Sequence, residues 1–149
     1  MGMKPEAGGL LDIDQRIYAP AEEVAAFIGD FRNAKEWMVG VEAVEKLGED
    51  RYRLTLDSPI GTLEPEASIA EHGPRTIRWV YDSVIEGGGR VEVSPDEDGC
   101  MVTYTGEFRL KRRLLDRAAR LAGVERFARK NGERSLSRLR YLMEARRYR

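Results

Sequence analysis

The chain has one cysteine, Cys100, and one histidine, His72, in 149 residues. A single thiol excludes an internal disulfide and every multi-cysteine metal site. A single imidazole excludes any site that needs two. No apolar run reaches the ~18 residues that would span a bilayer as a helix. The opening MGMKPEAGGL has no apolar signal-peptide core, so a cytoplasmic location is expected. Repeats, low-complexity tracts and Pro/Gly/Ser-rich linkers are also lacking. One domain over 10–149 behind a flexible stretch 1–9 is therefore expected. The sole glycine cluster, Gly87-Gly88-Gly89, lacks the G-x-G-x-x-G spacing and precedes a strand. It is read as a hairpin turn or bulge, not a dinucleotide cradle. No metal and no redox or nucleotide cofactor is expected.

Hydrophobic residues make up 42% of the chain and charged residues 34%, enough apolar material for a packed core. The net charge of −1 conceals a split. Residues 109–149 carry 15 Lys and Arg against 4 Asp and Glu, while 1–108 carry 10 against 22. One reading is an acidic sheet and a basic helix that attract each other within one fold. Another is a docking face for an acidic protein or an anionic membrane surface. A sequence pI near 6.0 argues against nucleic acid. The oligomeric state is left open.

Periodicity assigns the elements. Leu11, Ile13 and Ile17 alternate with Asp12, Asp14 and Arg16, the mark of a strand over 10–18. Pro20, Glu22 and Glu23 suit the start of a helix over 20–29. Asp30 can cap a second short helix through Phe31 to Trp37. From Val39 the period becomes two, giving strands near 39–47, 51–57, 62–71, 75–82, 89–94 and 100–110, joined by hairpin-length turns. Tyr52, Leu54 and Leu56 share one face with Leu63, Ala67 and Ile69. Ile77, Trp79, Tyr81, Val102, Tyr104 and Phe108 share the same parity. Residues 111–146 then show a helical stripe that includes Leu114, Ala118, Leu121, Ala128, Leu136, Leu139 and Met143, with Gly123 and Asn131-Gly132 as points of bending or breakage. The fold class is α+β: a seven-stranded curved antiparallel sheet, two short helices after the first strand, and one long C-terminal helix on the apolar face.

Two residues with chemical potential have ordinary readings. His72, between strands in Glu71-His72-Gly73-Pro74, reads as an exposed turn residue. Cys100 has the inward parity and reads as a small apolar filler. No inward pair of carboxylates and no set of acid, base and oxyanion donors is visible.

The run from Ile17 to Val24, followed by Phe27, Ile28, Asp30, Phe31, Asn33, Trp37 and Val41, resembles the opening of the START/Bet v 1-like (SRPBCC) superfamily. Its nearest branch is the polyketide cyclase/dehydrase and coenzyme Q-binding group. The ending, with Leu136, Leu139, Leu142 and Glu144, is also similar, so the resemblance spans about 10–146. It implies a helix-grip fold with a deep apolar pocket between sheet and C-terminal helix. Strand parity and that implied pocket together name the expected walls: Tyr52, Leu54, Ile69, Trp79, Tyr81, Val102, Tyr104 and Phe108 from the sheet. Ala118, Leu121 and Ala128 close it from the helix, with Trp37 near the mouth.

Fold does not select function. The leading expectation is binding or transport of a hydrophobic small molecule, such as a lipid, quinone or polycyclic aromatic. The first alternative is a cofactor-free cyclase or dehydratase, which an ionisable cavity group of strongly shifted pKa would favour. The second is a protein-interaction module using the basic helix, which an interior with no cavity above ~300 Å³ would favour.

Overall fold

A computed structural model describes residues 8–110 and 124–146. Eight strands form one antiparallel sheet: β1 (Gly8–Ile17), β2 (Val41–Gly48), β3 (Arg51–Ser58), β4 (Gly61–Leu63), β5 (Glu66–His72), β6 (Thr76–Asp82), β7 (Ile85–Pro95) and β8 (Cys100–Leu110). Their order is β1-β8-β7-β6-β5-β3-β2, with β4 paired to β3 off this path. Between β1 and β2 lie α1 (Ala21–Gly29), a 3₁₀ turn (Phe31–Asn33) and α2 (Ala34–Trp37). The Asp30 carboxylate caps the turn by accepting from the Arg32 amide at 3.1 Å. The C-terminal helix α3 covers Val124–Ala145. The expected helix-grip arrangement is thus present. Among the described residues no helix is long and apolar enough to cross a membrane.

Three expectations need correction. The single strand read over 62–71 is two strands, β4 and β5, separated by Glu64 and Pro65. Proline has no N–H to give the ladder, so pairing stops there, although its carbonyl still accepts from the Leu54 amide at 2.9 Å. Gly87-Gly88-Gly89 is not a turn. These residues lie inside β7 in continuous register with Tyr81, Val80 and Trp79, and the hairpin turn falls earlier, at Ser83-Val84. The reason lies across the sheet: a Cβ on Gly89 would sit 2.4 Å from Trp79 Cζ2, so the bare backbone makes room for the indole. Finally, α3 runs unbroken through Gly132. A Cβ there would come within 2.8 Å of Ile13 Cδ1, so this glycine allows the helix to approach β1 closely. The stretch 111–123, with the expected break at Gly123, lies outside the described residues.

The helix and the sheet share few charges. The ion pairs of the sheet are largely its own: Arg51 with Glu66 and Asp82, Arg53 with Glu45 and Glu66, and Arg16 with Asp96. Among the described residues no ion pair joins α3 to the sheet. Its C-terminal end is held instead by Glu144, which accepts from the Tyr18 amide at 2.9 Å, and by Arg140 over the Tyr18 ring. Arg146 lies over the Phe27 ring, 4.8 Å from its centroid.

Candidate ligand cavity

The apolar face of the sheet is covered unequally. At one end, α1 lies over β6 and β7, and Leu136, Leu139 and Met143 of α3 are fully buried. Phe31 from the 3₁₀ turn inserts between Tyr52 and Trp79, with ring centroids 5.1 and 5.4 Å away. This end is solid core.

At the other end a cavity of about 170 Å³ remains between the start of α3 and the sheet, partly open to solvent. Leu11 of β1, Leu56 of β3, Leu63 of β4 and Ile85 of β7 form apolar walls. The connections add Met38, Val39, Pro59 and Ile60, and α3 adds Phe127, Ala128, Asn131, Gly132 and Ser135. Tyr81, Tyr104 and Phe108 complete the sheet side, where Gly88 and Gly106 bring bare backbone to the surface. Glu107 is the one charged residue among the described lining.

The expected wall residues divide between the two ends. Tyr81, Tyr104, Phe108 and Ala128 line the cavity. Tyr52, Leu54, Trp79 and Val102 are buried in the packed core, and Ile69 packs against it. Trp37 is buried too, edge-on to Tyr104 at 6.1 Å, and does not stand at a mouth. Ala118 and Leu121 lie outside the described residues. The division arises because the short helices after β1 fill one end of the concave face, which strand parity alone cannot show.

Several lining residues escaped the reading of the sequence. Leu56 and Leu63 carried a signal in their inward parity. Ile60 was an apolar residue in a turn, Val39 was read as the start of a strand over 39–47 although it lies in the turn before Val41, and Asn131 was a polar residue in an apolar stripe. Asn131 and Ser135 have a structural task at the cavity roof. Asn131 Nδ2 donates to the Val39 carbonyl at 2.7 Å, and Ser135 Oγ accepts from the Val39 amide at 2.9 Å. Ser135 donates its own proton to the Asn131 carbonyl at 2.7 Å. Both backbone groups of Val39 are thus satisfied by one helix, which fixes the loop against α3.

The ionisable groups near the cavity are phenols. Burial pushes Tyr104 far above the ordinary phenol range, and the neighbouring Tyr81 adds to the shift. Burial also raises Tyr81, opposed by the Trp79 indole, which acts on it as a weak donor. The indole–phenol pair nevertheless misses hydrogen-bond geometry, and Trp79 Nε1–H is buried unpaired. Both phenols therefore stay protonated and can donate. Cys100 is buried in the packed end, its thiol pushed up to about 11 by burial, so thiolate chemistry is suppressed there. His72 closes β5, exposed, with its imidazole beside Gly29 and away from the cavity. Among the described residues no group of three or more His, Cys, Asp or Glu is placed to hold a metal ion.

Residues 11–144, from the middle of β1 to the last turn of α3, match the profile of the family described as polyketide cyclase/dehydrase and lipid transport. The chain belongs to that family. Solved structures agree on the fold of this cyclase/dehydrase and lipid-transport member. A START superfamily protein from Mycobacterium smegmatis superposes with a TM-score of 0.68 at 13% identity, covering 92% of this chain and 95% of its own. The protein DR_A0006 from Deinococcus radiodurans gives 0.60 at 26% identity, covering 74% and 92%. The di-domain ARO/CYC StfQ of the steffimycin biosynthetic pathway gives 0.69 at 11% identity, covering 95% of this chain and 52% of StfQ. The chain therefore spans about half of that larger protein. No curated protein matches this chain in sequence.

Proposed function

We propose that this protein binds a hydrophobic small molecule in the cavity between α3 and the sheet. The observation that carries the reading is the cavity itself, walled mainly by Leu, Ile, Met and Phe side chains, in a family whose description includes lipid transport. Apolar burial at roughly 25 cal/mol per Å² drives entry. The size narrows the guest. An apolar cavity of about 150 Å³ accepts benzene, whereas drug-sized ligands occupy ~300 Å³ or more. The space of about 170 Å³ therefore favours a single ring or a stretch of alkyl chain over the polycyclic candidates. The exposed face of α3 with Arg134 and Arg138, which form no ion pair among the described residues, suits an anionic protein or membrane surface.

The test is native mass spectrometry of protein purified without detergent, followed by displacement of a fluorescent fatty acid. Ala128, half-buried on the lining, is the position to block. Ala128→Trp should abolish binding while the unfolding midpoint stays close to wild type. If several apolar ligand classes leave the wild type unmoved, the reading fails and the interaction module becomes the better one.

A cofactor-free cyclase or dehydratase is a second reading, favoured by Tyr104. A phenol kept protonated beside an apolar cavity can polarise a ketone. The described lining supplies no partner base other than Glu107, so binding leads. Turnover of a poly-β-ketone analogue that Tyr104→Phe abolishes would reverse the ranking.

A further inference from the structure

The cavity is mainly apolar, and two phenols join Ser58, Glu107, Asn131 and Ser135 as its polar lining. Tyr81 on β6 and Tyr104 on β8 flank β7, paired with Gly87 and Val91, and the Trp79 indole lies over Gly89 between these positions. Neither hydroxyl has a hydrogen-bond partner of good geometry among the described residues. Next to both rings, the indole N–H of Trp79 is unpaired, and its ring centroid lies 6.0 Å from that of Tyr104. Proteins rarely leave buried donors without acceptors. Here the Trp79 indole is such a donor, and two phenols that border the cavity stand beside it, so the missing group is an acceptor.

The charge of that acceptor follows from the remaining walls. The described lining contains no Lys, Arg or His, and its one charged residue is Glu107. A carboxylate or phosphate entering here would lose its hydration, find no cation among the described lining and meet a like charge. A neutral carbonyl or phenol oxygen loses much less and gains two donors.

Building on the reading of this cavity as a ligand site, we propose that its guest is a neutral, ring-sized compound with one acceptor oxygen, held by hydrogen bonds from Tyr81 and Tyr104. The raised pKa values of both phenols keep them donors across the physiological range. When Tyr81 donates to the guest, its oxygen remains available to the Trp79 indole, which makes Trp79 a reporter of occupancy.

Three probes of similar size separate the possibilities: acetophenone, ethylbenzene and benzoate. Ethylbenzene is the most hydrophobic, so apolar burial alone ranks it first. The test titrates each into the ¹⁵N-labelled full chain, wild type and the variants Tyr81→Phe and Tyr104→Phe, following amide and indole resonances. Acetophenone should bind about 10-fold tighter than ethylbenzene, with benzoate weakest. Each Phe variant should weaken acetophenone about 3–10-fold and leave ethylbenzene within about 2-fold. The Trp79 Nε1–H resonance should move with acetophenone in the wild type and much less in Tyr81→Phe. Equal binding of acetophenone and ethylbenzene, equal losses for both in the variants, or preference for benzoate overturns the assignment of the phenols while leaving the cavity a ligand site. Failure of ethylbenzene and acetophenone alike to bind the wild type overturns both.

Discussion

The two ends of the sheet are made of similar strands and differ in what covers them. At the packed end, Phe31 lies between Tyr52 and Trp79, and Leu136, Leu139 and Met143 have no exposed surface. At the cavity end, Leu11, Phe108 and Phe127 surround an unfilled volume. An apolar strand face is therefore an unspent resource: it becomes core where helices and a turn are delivered to it, and a binding surface where they are not. The contrast assigns stability to one end and recognition to the other, and it can be tested.

The largest expected effect is Leu139→Ala. In a fully buried, close-packed site, this truncation should cost about 2–5 kcal/mol in urea melts. Leu11→Ala, bordering the cavity, should cost less than half as much, because part of its side chain already faces empty space. Equal losses would mean that the cavity end is packed in solution and would erase the contrast. Next comes Gly89→Ala. Its Cβ would overlap the Trp79 ring, and overpacking of this kind costs about 1–3 kcal/mol. Trp79 emission should shift with it, and an unshifted spectrum would place the indole elsewhere. Ser135→Ala should cost about 1–2 kcal/mol, because the Val39 amide loses its acceptor. Faster hydrogen exchange at Val39 than at the β7 amides would confirm that the damage is confined to the cavity roof.

The smallest effect near neutrality concerns pH. Tyr81 and Tyr104 have folded pKa values raised by burial. The stability they contribute is fully present below the unfolded phenol pKa of about 10. It is lost as pH rises through the raised folded values, because the unfolded chain ionises first. Ultraviolet titration of the folded protein should therefore show phenols that resist ionisation until alkaline unfolding. A Tyr104 that titrates normally in the folded state would show that the cavity is wet.

Much of the fold was legible because it rests on local rules. Alternation along β3, β6 and β8 identified the buried face, Asp30 marked the cap, and the stripe from Leu136 to Met143 marked the side of the helix that packs. Pro65 stood in the sequence too, but one strand over 62–71 was read through it, whereas its missing N–H divides β4 from β5. The glycine run misled because glycine signals turns through its backbone freedom. At Gly89 its value is the absent side chain, a property that matters only once Trp79 lies across from it.

The sequence by itself determined which residues turn inward, since side-chain direction in a strand follows parity and depends on no distant partner. It also determined the scarcity of thiol and imidazole, and with it the range of available chemistry. Only the tertiary structure decided which inward residues became core and which became cavity wall. Tyr52 and Tyr81 share parity, sheet and residue type, yet Phe31 covers the first while the second borders open space. That choice depends on where a turn twenty-one residues before Tyr52 comes to rest, and such long-range packing is set by the whole chain and by no local period.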